Sequence, residues 1–356
     1  ARLPHPRQAL ALNAERLELR AGRLEGAAPR AMQRAYERAA EPWHRLDAGR
    51  RMDEALQRLL AERALALEAL WHEAGVPEGG FQILLAELDQ LPAVIADPRV
   101  AAVSLTGSSR AGRSVAAAAG AALKPCVLEL GGSDPAVVLA DADLELAVEQ
   151  CAVGRLINAG QSCIATKRII VSRPLRAAFE EALLARLARL RVGDPRDEAT
   201  ELGPLAREDL RDALARQVTQ SVAAGAACRL GGQAPSGAGW YYPVTLLTDP
   251  PPGSPACREE LFGPVATLIE AADEEDAIRL ANDTAYGLGA AIYSRDSARA
   301  EAIARDRLEA GSAFVNAFVR SDPRLPFGGT KDSGWGRELG REGLLAFTSA
   351  KTVWVA

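Results

Sequence analysis

Residues 100–132 read VAAVSLTGSSRAGRSVAAAAGAALKPCVLELGG, and this run decides the fold class. Val100 to Leu105 is a short apolar run suited to a strand. Gly107 and Ser108 interrupt it, and Ser109 to Ala122 forms an alanine-rich helical segment. Cys126 to Leu130 is a second apolar strand, closed by Gly131 and Gly132. Strand, glycine turn, helix and strand within about thirty residues is the pattern of a parallel βαβ unit, so the chain reads as α/β.

The alternation extends in both directions. Upstream, Phe81 to Leu85 reads as a short strand and Leu88 to Ala96 as a helix. Before them, Asp47 to Glu73 carries Met52, Leu56, Leu59, Leu60, Leu67 and Leu70 at helical spacing, which predicts a core-packing helix ended by Gly75 and Pro77. A shorter helix is expected from Arg30 to Ala40. Downstream, Asp141 or Asp143 is a candidate cap for a helix reaching Ile157. Lys167 to Val171 reads as a buried strand, and Arg176 to Leu190 and Glu208 to Ala224 as helices. Asp273 to Asn282 and Ala298 to Leu308 are further helices, with strands at Ala290 to Tyr293 and Ala313 to Asn316. The tail from Lys351 to Ala356 reads as a final strand.

Composition narrows the function. The 356 residues are 48% apolar and 25% charged, with net charge -5, as in an ordinary globular protein. No basic surface invites nucleic acid, and no run is long and apolar enough for a membrane span. The start carries no leader pattern, and five scattered Cys without a CxxC spacing suggest reduced thiols, so a cytoplasmic location is expected. Only four Lys occur (Lys124, Lys167, Lys331, Lys351), so each is conspicuous. The three His are His5, His44 and His72. Chemistry beyond residue 72 therefore runs without imidazole, which excludes a Ser-His-Asp or Cys-His arrangement confined to that part. No His-containing zinc site can form there, and no metal is expected.

Five segments can carry chemistry. In Asn158-Ala-Gly-Gln-Ser-Cys163, a cysteine stands on a glycine-hinged loop just before a strand. Backbone N–H groups of such a loop can activate a thiol, although a free Cys is most often a small buried hydrophobe. In Leu128-Glu-Leu-Gly-Gly132, Glu129 sits in an apolar strand, where burial makes a carboxylate a base near neutral pH. A strand-end carboxylate facing solvent fits the pattern equally well. Gly107 and Ser108 open a helix whose N–H groups could hold phosphate, or form a plain βα turn. Glu259-Glu260-Leu-Phe262-Gly-Pro sets acids beside an aromatic and a rigid turn. Asn316, at a strand end, and Phe327, in Pro326-Phe-Gly-Gly329, suit a pocket wall.

Taken in order, these segments resemble the aldehyde dehydrogenase superfamily over about Ala74 to Ala356. The shared motifs are LELGG, NAGQSC, EELFGP, PFGGTKDSGWGRELG and the TVWV tail, with Glu129, Cys163 and Glu260 at the family's own spacing. CVLELGGSDP, GDPRDE and GRELG are most similar to the bacterial succinate-semialdehyde dehydrogenase branch. The resemblance implies a Rossmann-type cofactor domain, here truncated, over 1–128. An α/β catalytic domain would follow over 129–335, and an oligomerisation segment over 336–356. It implies Cys163 as nucleophile, with its backbone N–H as an oxyanion donor, and Glu129 as base for thioester hydrolysis. Glu260 would hold the nicotinamide ribose, Phe262 would line the ring site, and Gly107 and Ser108 would lie near the phosphates of NAD or NADP. A small-molecule aldehyde is the expected partner, together with further copies of the chain in a homo-oligomer. For a substrate bearing a carboxylate, Arg155, Arg320 and Arg324 are candidate anchors. The chain departs from the family where His72-Glu73 runs directly into Ala74-Gly-Val-Pro-Glu-Gly79. Relatives carry there a stretch with an oxyanion Asn and an adenosine-ribose Lys. An impaired pseudoenzyme and a cofactor-independent thiol esterase are therefore competing readings.

Overall fold

The computed structural model describes residues 51–355, with side chains from Ala61 onward. The expected helix at Arg30 to Ala40 lies outside the described residues. Two compact units are present. One runs to Leu91 and includes Ser236–Gly239, and the other comprises Pro92–Pro235 and Trp240–Ala356. The expected division at 128/129 falls inside a strand of the second unit.

The first unit is built on α1, Arg51–Glu73. Trp71 packs against Phe81 with rings tilted by 37° and centroids 5.8 Å apart, and Ile83 N donates to Glu68 Oε2 at 2.8 Å. Of the predicted core face, Leu67 is 49% exposed and Leu70 half-buried. Phe81 to Leu85 forms no strand. Among the described residues of this unit no strand runs alongside it, and an isolated extended segment has nowhere to place its backbone hydrogen bonds.

Next along the chain come α2 (Leu91–Ala96), β1 (Val103–Thr106), α3 (Ser109–Ala121) and β2 (Cys126–Glu129). They are followed by β3 (Asp134–Val138), α4 (Leu144–Leu156), β4 (Thr166–Ser172), α5 (Arg176–Ala188) and α6 (Glu208–Ala223). Then come β5 (Ala227–Leu230), β6 (Thr245–Thr248), α7 (Pro255–Arg258), β7 (Val265–Ala271) and α8 (Glu274–Asn282). The rest are β8 (Tyr286–Gly287), β9 (Gly289–Tyr293), α9 (Ser297–Asp306), β10 (Ser312–Val315), β11 (Thr330–Lys331), β12 (Gly334–Trp335) and α10 (Gly340–Leu345).

The quoted run folds as read: β1 and β2 pair in parallel through α3. Ser108 caps α3, accepting from Ala111 N at 3.2 Å. Gly112 lets the helix lie flat on β2, because a Cβ there would come 2.4 Å from Leu130 Cδ1. β12 completes this small sheet, antiparallel to β2 with Gly334 opposite Glu129.

The larger sheet has the order β10-β9-β3-β4-β7-β6-β5. Its strands are parallel except β5, which closes one edge antiparallel to β6. Side chains alternate between faces along each strand. On β3, Ala136 and Val138 pack with Cys151 of α4 and with Phe179 and Leu183 of α5. Val137 and the following Leu139 pack instead with Ala277 and Ile278 of α8 and Ile303 of α9. Helices therefore cover both faces, as a parallel sheet requires. Sequence reasoning missed β3, β5, β6 and β7. β3, β6 and most of β7 are buried on both faces and show no apolar–polar alternation, Asp134-Pro135 reads as a turn after two glycines, and β5 is a short, exposed edge strand.

The tail differs from expectation. Residues 351–355 form no strand, and Val353 and Trp354 are 75% and 87% exposed. No strand among the described residues pairs with this segment, so its N–H and C=O groups form no ladder.

Candidate active site

The glycine pair after β2 is where the predicted segments meet. A Cβ on Gly131 would stand 2.3 Å from Glu260 Oε2, and one on Gly132 would stand 2.6 Å from Cys163 O. Only glycine permits both approaches. Glu129 O accepts from Gly107 N at 2.9 Å, which joins the turn before α3 to the same place. On the far side, a Cβ on Gly328 would fall 2.7 Å from Glu129 Oε1. Phe327 stands next to Gly328, half-buried, its N and O both paired with Glu338 at 2.7 Å. Contacts at Gly107, Gly131, Gly132 and Gly328 thus tie together the stretches that carry Glu129, Cys163, Glu260 and Phe327.

Glu129 is 4% exposed, and neither carboxyl oxygen has a hydrogen-bond partner. Burial pushes its pKa up to about 7; Glu338 adds to the rise and Arg337 opposes it. A carboxyl titrating near neutrality can hold and release a proton under ordinary conditions, as a general base must.

Cys163 follows a tight 3₁₀ turn at Ile157–Gly160, in which Asn158 and Ala159 both adopt left-handed backbone angles. The sulfur is half-buried, and burial raises the thiol pKa. Lys167 opposes that rise, Asp134 and Glu260 add to it, and the Ile164 N–H lowers it. Cys151, by contrast, is fully buried in the core, and its thiol is pushed far up by burial.

Glu260 is held by a buried neighbour, Leu261, and by Gln217 Nε2, which donates to Glu259 Oε2 at 2.7 Å and Glu260 O at 3.2 Å. Its Oε1 accepts from Gly132 N at 3.2 Å and faces Lys167 Nζ at 3.4 Å. Phe262 is half-buried beside it.

Two expectations change. Arg155 cannot meet a substrate carboxylate: it is 0% exposed, and its Nη2 donates to Gly160 O at 2.5 Å. Its residue position was read correctly as the end of a helix, but that helix face is turned into the protein, so the guanidinium supports the Cys163 loop from below. Asn316 turns its amide to Ser294, with Oδ1 accepting from Ser294 N at 3.0 Å and Nδ2 donating to Ser294 O at 2.9 Å. Arg324 pairs with Asp322 on the surface, and Arg320 is exposed.

Sequence reasoning passed over Asp134 and Lys167, which are 2% and 1% exposed beneath the Cys163 loop. The available signal was a charged residue at the head of each of two apolar runs, and in Lys167 a rare residue type. Among the described residues no cluster could hold a metal ion.

The aldehyde dehydrogenase family model matches residues 57–353, most of the chain and every segment above. The chain belongs to the aldehyde dehydrogenase family. It is 50% identical to the succinate semialdehyde dehydrogenase [NAD(P)+] Sad of Escherichia coli, over 82% of this chain and 63% of that protein. It is 49% identical to a probable succinate-semialdehyde dehydrogenase [NADP(+)] of Synechocystis, over 82% and 64%. The structure of succinic semialdehyde dehydrogenase from Streptococcus pyogenes in complex with NADP+ superposes with a TM-score of 0.80 at 38% identity, covering 83% of this chain and 65% of that one. This family member therefore spans less than two thirds of the length of these relatives. No helix among the described residues is long and apolar enough to cross a membrane.

Proposed function

We propose that the chain oxidises a small aldehyde, succinate semialdehyde by its relatives, to the carboxylic acid with NAD or NADP. The observation that carries this is the glycine pair Gly131–Gly132, which follows the unpaired buried carboxyl of Glu129 in the chain and packs against the Glu260 carboxyl and the backbone carbonyl of Cys163.

The residues fit a dinucleotide. The turn Gly107–Ser108 lies at the carboxyl end of β1 and opens a thirteen-residue helix, the place where such sheets receive phosphate. Glu260 keeps Oε2 beside the space above Gly131, where a Cβ is absent, and that oxygen can accept from ribose hydroxyls. Phe262 would line the ring site. The chemistry supplied by NAD(P) when bound is acceptance of the substrate hydride.

The chain's own residues do the rest. Cys163 as thiolate adds to the aldehyde carbon and forms a thiohemiacetal. The Cys163 N–H donates to the oxygen that becomes negative. After oxidation to the thioester, Glu129 takes a proton from water as the water attacks, and Cys163 leaves as thiolate. A carboxylate base explains how the site works with no His beyond residue 72. The exposed segment at 351–355 offers unpaired backbone for a second copy, which is the basis for a proposed homo-oligomer.

The test is reduction of NAD or NADP by the full chain with succinic semialdehyde, in the wild type and Cys163→Ala. Reduction that vanishes in the variant supports the proposal. Ester hydrolysis without nicotinamide reduction, also abolished in Cys163→Ala, would favour a thiol esterase instead. Absence of both in folded protein refutes an enzymatic role for this chain.

A further inference from the structure

Lys167 stands at the head of β4, four positions beyond Cys163, and is 1% exposed. Its ammonium donates to Ser162 O and Cys163 O at 2.9 Å each and to Ala165 O at 3.4 Å. An ammonium has three protons, and here all of them go to carbonyls of one loop. The same nitrogen is 3.4 Å from Glu260 Oε1, so one buried cation touches both the loop of the thiol and the acid proposed for ribose.

Other charges surround this point from several elements. Asp134, at the start of β3, is fully inside, and its carboxyl oxygens lack a well-formed hydrogen bond. A Cβ on Gly132 would lie 2.9 Å from Asp134 Oδ1 and 2.6 Å from Cys163 O, so carboxyl and carbonyl border the same small space. Arg155, from α4, holds Gly160 O, and its other two nitrogens have no partner. Glu260 closes the group from the segment after α7. Two cations and two acids thus flank the loop 160–165.

A lysine placed merely to fill space would not be buried at such electrostatic cost. We propose that Lys167 is a positioning residue for Cys163: it fixes the 162–165 turn through three carbonyls and supplies the positive charge that offsets Asp134 and Glu260 beside the sulfur. The thiolate that forms during addition and again on thioester release is where this charge acts. The proposal rests on Cys163 being the reactive thiol.

The test is the rate of Cys163 alkylation by iodoacetamide against pH, followed by mass spectrometry of the full chain. It compares the wild type, Lys167→Met and Asp134→Asn, with folding checked by circular dichroism. Lys167→Met should move the midpoint up by about one pH unit, slowing alkylation about tenfold at neutral pH. Asp134→Asn, which removes the opposing charge, should move the midpoint down. A folded Lys167→Met protein with the wild-type midpoint overturns the proposal. Should Lys167→Met fail to fold, an unchanged or raised midpoint in Asp134→Asn overturns it equally. Wild-type Cys163 that resists the reagent throughout would instead bring down the nucleophile reading, and this inference with it.

Discussion

Replacing Glu129 with Gln should remove a pH-dependent destabilisation from the folded chain. The carboxyl is 4% exposed and unpartnered, and burial raises its pKa from 4.5 to about 7. As pH rises from 4.5 toward 7, the unfolded chain sheds this proton and the folded chain keeps it. Folded protein then binds more protons, so stability falls with rising pH across that window. A shift of about 2.5 units corresponds to about 3 kcal/mol lost by the wild type once the pH exceeds 7. Gln cannot ionise and escapes this loss. Burying its amide has a cost of its own, about 1–3 kcal/mol, but that cost does not vary with pH. Asp134, also raised to about 7 by burial, is present in both proteins and cancels. Urea denaturation of both proteins at about pH 5 and about pH 8 reads the difference. Glu129→Gln should gain about 2–3 kcal/mol on the wild type between those conditions. Parallel stability curves, or a gain in the opposite direction, would show that Glu129 is not held in a dry site and cannot be a base poised near neutrality.

Three further outcomes follow from the geometry. Ser333→Ala should cost about 1–3 kcal/mol in urea denaturation, because Ser333 Oγ accepts from Gly287 N at 3.1 Å and donates to Gly131 O at 2.6 Å in a fully buried position. Gly132→Ala should destabilise by about 1–3 kcal/mol and slow Cys163 alkylation, since the new Cβ collides with Cys163 O; unchanged labelling kinetics would contradict the junction described at this glycine. In folded protein at mildly alkaline pH, iodoacetamide should modify exposed Cys228 and half-buried Cys163 and leave Cys151 intact, and peptide mapping that finds Cys151 modified before unfolding would contradict its burial.

Much was legible along the chain because it is local. The βαβ run at 100–130, the cap at Asp143 (one of two candidates with Asp141) and the glycine-hinged loop before Cys163 each depend on a few adjacent residues. The helices expected at Asp273 to Asn282 and Ala298 to Leu308 lie at Glu274–Asn282 and Ser297–Asp306, capped by Asp273 and Asp296. Glu129, Cys163 and Glu260 were legible as motifs, and the motifs carried the family. The strand expected at 81–85 is absent because a strand exists only where a neighbour completes its hydrogen bonds, and the neighbour is not written in the segment itself; the tail, read as an oligomerisation strand, has no such neighbour within a single chain.

Sequence by itself thus determined which residues could react and which stretches could be helical. Tertiary structure alone decided that Glu129 would titrate near neutrality. It also turned Arg155 from a candidate substrate anchor into a buried brace and gathered Lys167, Asp134 and Glu260 around one thiol. Burial and Coulombic coupling depend on what arrives from distant parts of the chain, and those neighbours are set only when the sheet order and the helix layers are in place.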